Sequence, residues 1–361
     1  MIRIAFFSGD ITRSGGTERV SILIANHLAL KERFEIHFVS LWEEKTLPFF
    51  GMNGRITRHR LSDRRLSPGV GGPLYIRRLR RFLRQQEIDL IIDIDTVLDV
   101  ISVPAARRLH TKVLSWENFN YQYETARLYR RMILQRYTKR ADVIVTLTPG
   151  DRDTFCRELH RTSGVRSIYN PIKEMEYVAT THREKWIITS AQLVYRKGFD
   201  YLCKVAGQVL PRHPDWKWLI LGEGPEREAI EAYCLENHLE GQLVLEGLVE
   251  HVEKYLVRAS IFVLTSREEG LPMCLLEART YGVPAVSFDI QTGPRDIITD
   301  GVNGYLVEPF DIAQMAEKLE RLMEDEALRQ RMGDEAKKNL KAFMLPDIVR
   351  QWSELIEEIC G

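Results

Sequence analysis

Residues 261–282 read "IFVLTSREEGLPMCLLEARTYG". "IFVLTS" suits a buried strand, "REEGLP" a turn, and the remainder a helix closed by Gly282. Pro272 fits the first turn of that helix, where a missing N–H costs nothing. Free backbone N–H groups and the positive end of the helix dipole then fall at 271–273, a setting that attracts phosphate. Two carboxylates flank it. Glu269 lies just before the helix and Glu277 lies about one and a half turns inside. A carboxylate in that position accepts hydrogen bonds from vicinal hydroxyls, such as those of ribose or a hexose. The plainer reading of the same residues has Glu269 capping the helix and Glu277 in solvent.

The strand–turn–helix unit recurs along the chain. Strands are expected at 2–8, 35–40, 89–94, 112–116 and 142–147, and again at 186–191, 217–222, 243–247, 261–266 and 284–288, with amphipathic stretches such as 17–30 between them. This alternation implies an α/β protein with parallel sheets covered on both faces. The pattern restarts near 186, after "YNPIKEMEYVATTHREK" (169–185), a polar stretch without periodicity that reads as a linker. Two doubly wound, Rossmann-like domains in tandem are therefore expected, over 1–170 and 171–344. Ligands of such sheets sit beyond the carboxyl ends of the strands, and the expected site is a cleft that the two domains face. The last segment, 345–361, is amphipathic, with Ile348, Trp352, Leu355, Ile356 and Ile359 at helical spacing.

No apolar run approaches the ~20 residues of a membrane span. The opening "MIRIAFFSGD" reads as a first strand rather than a signal peptide. The five cysteines are odd in number and in no metal-ligand spacing, which favours reduced thiols and a cytoplasmic setting. Net charge is zero, yet residues 1–180 carry 30 Lys/Arg against 20 Asp/Glu, and 181–361 carry 21 against 31. The cations cluster in "YIRRLRRFLR" (75–84) and "RLYRRMILQRYTKR" (127–140). Solvated helix faces would explain each cluster singly; together they suggest an anionic partner. Phospholipid and a lipid diphosphate fit. Nucleic acid is disfavoured, because no binding motif accompanies the charge.

Three further turns carry chemistry. "SAQLVYRKGFDYL" (190–202) places Arg196 and Lys197 after a strand, where two cations suit a diphosphate. "FFSGDITRSGGTERV" (6–20) places Gly15 and Gly16 before a helix, where a backbone can approach a phosphate or sugar closely. The spacing is not that of a dinucleotide loop. "ILGEGPEREAIEAYC" (220–234) gives a tight turn at Gly222 and Gly224. Asp93-x-Asp95 has the spacing of a metal-binding pair, but two Asp residues ending a strand explain it as well.

Taken in order, GG-x-E-R, N-P at the linker, K-G-F-D, L-G-E-G-P and E-G-x-P-x4-E resemble glycosyltransferase family 4, as does "TGPRDIITDGVNGYLVEPFD" (292–311). The resemblance covers nearly the whole chain. It implies the GT-B fold and a retaining, metal-independent transfer of a hexose or N-acetylhexosamine from a nucleoside-diphosphate sugar. UDP is the default carrier. Beyond that co-substrate no cofactor is implied. By the same resemblance Glu269 binds the donor sugar and Lys197 the diphosphate. The backbone at Gly270, Leu271, Pro272 and Met273 lines the sugar and phosphate, and Glu277 holds the ribose. Gly15 and Gly16 lie beside the phosphates and acceptor, and 345–361 returns to the N-terminal domain. Two departures stand out. Ala191-Gln192 replaces a common Gly-Arg, leaving Arg196 as a substitute cation. Asn118 stands near a common His; it can hydrogen-bond a sugar hydroxyl but cannot act as a base. These departures keep open a non-catalytic nucleotide-sugar-binding subunit, and another GT-B enzyme such as an epimerase is a further alternative. The expected acceptor is a glycan, lipid-linked, met at the inner face of the cell membrane by the basic N-terminal domain.

Overall fold

A computed structural model describes residues 1–66, 68–172 and 183–361, with only the backbone described at 68–70. The middle of the expected linker, 173–182, lies outside the described residues. The chain divides into two compact units, Met1–Pro171 with Leu345–Gly361, and Ile172–Met344.

The first unit is built on seven strands: β1 (Ile2–Ser8), β2 (Phe34–Ser40), β3 (Thr57–Arg60), β4 (Leu90–Asp93), β5 (Lys112–Trp116), β6 (Val143–Thr146) and β7 (Val165–Ser167). They pair in the order β3-β2-β1-β4-β5-β6-β7, all parallel. Crossover helices α1 (Gly16–Leu28), α2 (Pro68–Gln85), α3 (Asp99–Ala106), α4 (Tyr121–Thr125), α5 (Leu128–Arg136) and α6 (Pro149–Glu158) lie between the strands in the chain. Strands covered on both faces have no solvent side, which is why "IAFF" and "LII" run apolar without alternation.

The second unit has six parallel strands: β8 (Trp186–Ser190), β9 (Lys217–Leu221), β10 (Leu243–Gly247), β11 (Ile261–Leu264), β12 (Ala285–Phe288) and β13 (Gly304–Val307). Their order is β10-β9-β8-β11-β12-β13. Its helices are α7 (Phe199–Val209), α8 (Arg227–Glu236), α9 (Glu253–Leu256), α10 (Met273–Thr280), α11 (Pro294–Ile297), α12 (Ile312–Glu324) and α13 (Glu326–Ala336). The final helix, α14 (Leu345–Cys360), belongs to the first unit. Ile348, Trp352 and Ile356 are buried in that unit's core, and the Trp352 ring lies 4.7 Å from that of Trp116. Polar ties fix the helix further: Lys31 Nζ donates to Ser353 Oγ at 2.7 Å, and Arg33 pairs with Glu357 at 2.5 Å. Among the described residues no helix is long and apolar enough to cross a membrane.

Ten strands begin and end within two residues of their expected limits. Three short ones carry no such signal in the sequence: β3, β7 and β13. At 261–282 the strand ends at Leu264 and the helix starts at Met273, with Pro272 as its extended N-cap rather than in its first turn.

Candidate active site

Each sheet reverses its winding once, at β1/β4 in the first unit and at β8/β11 in the second. The loops leaving two adjacent strands at such a point diverge, and the crevice beyond the strand ends is where α/β sheets bind ligands. In the second unit those loops are 191–198 after β8 and 265–272 after β11. They carry Lys197 and Glu269.

The two side chains meet. Lys197 Nζ lies 2.5 Å from Glu269 Oε1, with the side chains 13% and 7% exposed. Ser266 Oγ donates to the same oxygen at 2.6 Å, and Thr292 Oγ1 donates to the Glu269 carbonyl at 2.6 Å. The N-cap of α10 is Pro272, whose ring offers no cap hydrogen bond. The helix's first N–H groups are those of Met273 and Cys274, one step later than expected because Pro272 has none. A helix start near an ammonium group is a setting that suits an anion.

The turn that carries Glu269 is held from behind. Gly293 has φ +96°, and a methyl group on it would fall 2.5 Å from Pro272 Cδ and 2.9 Å from the Gly270 carbonyl oxygen. Leu271 is buried, while Gly270 and Met273 are half-buried. Glu277 is half-buried on α10, and its charge acts on the Cys274 thiol, which burial above all pushes up to about 12. Arg196 is half-buried beside Lys197 in a 3-10 turn, Tyr195–Lys197. Gln192 is exposed in the same loop. Gly222 answers a packing need: a methyl group there would lie 1.9 Å from the Ala191 carbonyl oxygen, so the β8 and β9 turns touch backbone to backbone. Ser266, Thr292 and Thr265 went unnoticed in the sequence. A hydroxyl beside a motif is too common a feature to single out.

Gly15, Gly16 and Asn118 lie in the first unit. Gly15 is the extended N-cap of α1, and a methyl group on it would fall 2.3 Å from Glu18 Oε2. Around Gly16 such a group meets nothing within 4 Å. Asn118, just past β5, donates from Nδ2 to the Ile94 carbonyl at 2.9 Å, while its buried Oδ1 has no partner. Near it is a carboxylate network that the sequence did not reveal. Thr96 Oγ1 donates to Glu117 Oε2 at 2.9 Å and to Glu124 Oε2 at 3.2 Å. Arg130 pairs with Glu124 and lies 3.7 Å from Asp95. Burial, then the charge of Glu124, pushes the Glu117 carboxyl well above the usual range; burial and Asp95 push Glu124 up to about 7. Asp93 and Asp95 do not act as a pair. Asp93 is fully buried and accepts from Ser102 Oγ, whereas Asp95 caps the 3-10 turn at 96–98 through Val97 N. Among the described residues no group of three or more His, Cys, Asp or Glu could hold a metal ion.

Two compact units, each a parallel sheet with helices alternating along the chain, define the two-domain GT-B class of α/β proteins. Solved structures share it. The lipopolysaccharide outer core galactosyltransferase WaaB in its apo form superposes with a TM-score of 0.80 at 20% identity, covering 99% of both chains. TarM of S. aureus, solved with fondaparinux, α-GlcNAc-glycerol and UDP, gives 0.80 at 16% identity over 99% of this chain and 100% of that one. The profile for "Glycosyl transferases group 1" matches residues 173–339, and that for "Glycosyltransferase Family 4" matches 14–174. The protein is a glycosyltransferase and belongs to this group 1, family 4 kind. Among sequence relatives, an uncharacterized glycosyltransferase of Haemophilus influenzae is 29% identical over 99% of this chain and all of its own. A Campylobacter jejuni α-1,4-N-acetyl-D-galactosaminyltransferase, named for a GalNAc-containing diphospho-undecaprenol acceptor, is 25% identical over 99% of both. The lipopolysaccharide 1,6-galactosyltransferase of Escherichia coli is 27% identical over 66% of this chain and 67% of its own.

Proposed function

We propose that the protein is a retaining hexosyltransferase. It moves a hexose or N-acetylhexosamine from a UDP-sugar to a hydroxyl of a lipid-linked glycan, in cell-surface polysaccharide synthesis. The observation that carries this reading is the Lys197–Glu269 pair just ahead of the start of α10, at the switch point of the second sheet. Lys197 and the α10 N–H groups take the diphosphate, with Arg196 as the second cation. Glu269, released to the sugar, accepts from its hydroxyls, and Glu277 accepts from the ribose. The bond from the anomeric carbon to the diphosphate breaks, and the bond to the acceptor oxygen forms on the same face. The acceptor's proton passes to the departing phosphate oxygen. Asn118 cannot take that proton; its unpartnered Oδ1 suits a hydroxyl donor on the acceptor, and the open backbone at Gly16 suits close approach of a sugar or phosphate. No metal or cofactor is required where Lys197 and the helix start meet the diphosphate charge.

The test is a screen of UDP-galactose, UDP-glucose and the two UDP-N-acetylhexosamines against a lipid-diphosphate glycan acceptor. UDP release and the product's anomeric configuration are read with and without EDTA. Transfer with retained configuration, unchanged by EDTA, is expected. An inverted product or a strict metal requirement would overturn the mechanism, and the absence of any transfer would overturn the function.

We further infer that the first unit meets the acceptor at an anionic membrane surface, which makes the enzyme a peripheral protein of the inner membrane face. Support comes from α5. Leu128, Tyr129 and Met132 are 82%, 47% and 58% exposed, and the stretch 126–140 holds six Lys/Arg and no acidic residue. The other basic segment differs: Tyr75, Leu79, Phe82 and Leu83 of α2 are all buried in the core, Arg78 and Arg80 are half-buried and donate to backbone carbonyls, and only Arg77, Arg81 and Arg84 form a solvated face. Sedimentation with anionic and neutral vesicles tests the point. Equal failure to bind both, at low salt and high, would remove it.

A further inference from the structure

The sequence 195–198 carries Lys197 but has little core beneath it; Tyr195 is exposed, and Arg196 and Lys197 are half-buried. Something else must hold so short a basic turn in place. Three successive carbonyls of the turn accept hydrogen bonds from the loop that carries Glu269. Arg267 Nη1 donates to Tyr195 O at 2.7 Å, Arg267 N donates to Arg196 O at 2.8 Å, and Thr265 Oγ1 donates to Lys197 O at 3.2 Å. The fourth residue, Gly198, has φ +68°, and a methyl group on it would lie 2.1 Å from Thr265 O, so the two loops touch there directly.

Arg267 is itself fixed on every side. Its guanidinium forms a two-pronged bond to Asp200, at 2.8 Å from each nitrogen. Its Cζ also lies over two aromatic rings, 4.0 Å from the Tyr195 centroid and 4.4 Å from that of Tyr201. Only 14% of the side chain is exposed. Asp200 neutralises its charge, so it does not compete with Lys197 for Glu269. A planar, stacked and forked contact of this kind is one that lysine cannot reproduce.

We infer that Arg267, aided by Thr265, is the positioning residue of the donor site: the clasp on carbonyls 195–197 sets the Lys197 ammonium against Glu269. This rests on the reading of those two residues as donor-binding groups. A displacement of about 1 Å in such a group can cost about 10²-fold in rate.

The experiment compares the wild type with Arg267→Ala, Arg267→Lys and Thr265→Val, the last removing only one hydroxyl from a buried position. Lysine-selective acylation with mass-spectrometric readout, on the protein without donor, measures how well Lys197 is held in its pair; Lys185, in a surface pair with Asp215, is the internal reference. Lys197 labelling is expected to rise several-fold in Arg267→Ala, with no rescue by Arg267→Lys, and to rise less in Thr265→Val. With UDP-sugar, kcat should fall about 10–10²-fold in Arg267→Ala while the donor KM moves less. Unchanged Lys197 labelling in folded Arg267→Ala and Thr265→Val would overturn the inference. Should Arg267→Ala fail to fold, Thr265→Val decides alone. The labelling needs no turnover, so a wild type that transfers no sugar would count against the proposed function and not against the clasp.

Discussion

Lys197 and Glu269 stand 72 residues apart in the chain and meet at 2.5 Å. Each neutralises the other where bulk water is largely excluded, so in the proposed reaction the diphosphate would exchange one anionic partner of Lys197 for another. Removing a preorganised charged contact of this type costs about 10²–10³ in rate. Lys197→Ala and Glu269→Ala are each expected to lower kcat by that factor in the UDP-release assay, and each also to lower the thermal midpoint, because the remaining charge is left largely buried and unpaired. Glu268→Ala should stay within a few-fold of wild type, a contrast that tests which carboxylate of the adjacent pair serves the donor. Gly222→Ala is expected to lose roughly 1–3 kcal/mol by urea titration, because its new methyl group meets a backbone oxygen rather than a movable side chain. The spacing of Glu269 and Glu277 was legible in the sequence because both sit in one strand–turn–helix unit. The partner of Glu269 was not, because nothing in either turn records that β8 and β11 are neighbours.

At the scale of elements, the long apolar runs announced themselves and the short edges did not. Strand β3, "TRHR", has no apolar residue and is half to fully exposed at the sheet's edge. Strand β7 is three residues long at the opposite edge. Their pairing comes from backbone hydrogen bonds to a neighbour, which composition does not encode. Side-chain chemistry buried under β4, β5 and α3 was equally silent. Asp99 accepts from Ser115 Oγ at 2.7 Å and from Thr138, and burial pushes its carboxyl up to about 6. Burial and neighbouring Asp99 push Asp93 well above the carboxylate range, and burial pushes Asp151 up to about 7. Raised folded pKa values mean that the native unit holds protons the unfolded chain has released. The resulting stabilisation is full below about pH 4 and is lost as pH rises through 6 to 7, at up to about 1.4 kcal/mol per pH unit for each proton. Hydrogen exchange of the β4–β5 peptides should therefore be slower at pH 5 than at pH 8, after correction for intrinsic rates. Asp93→Asn should flatten that dependence. The absence of any slope would show these carboxylates ionised at both pH values. On α5, Leu128→Glu with Met132→Glu is expected to abolish sedimentation with anionic vesicles, while Arg77→Gln with Arg81→Gln on α2 leaves most of it.

Across the whole molecule, the two units repeat one plan: a parallel sheet with a single reversal, and loops at its carboxyl ends that carry the candidate site residues. That plan was readable from alternating strands and helices, since only a covered parallel sheet suits them. Helix α14 breaks the tandem order by joining the first unit from the far end of the chain. Deleting 345–361 would uncover Trp116 and the core face that Ile348, Trp352 and Ile356 fill. Limited proteolysis of that truncation should degrade 1–171 while a fragment spanning 183–344 survives; an intact first unit would show that α14 is an accessory. The same helix imposes a timetable on biosynthesis. The ribosome must deliver all of Ile172–Met344, roughly ten to thirty seconds of elongation at about 5–20 residues per second, between the two parts of the first unit. The half made later can therefore complete its fold first, while Trp116 of the earlier half stays uncovered until α14 emerges.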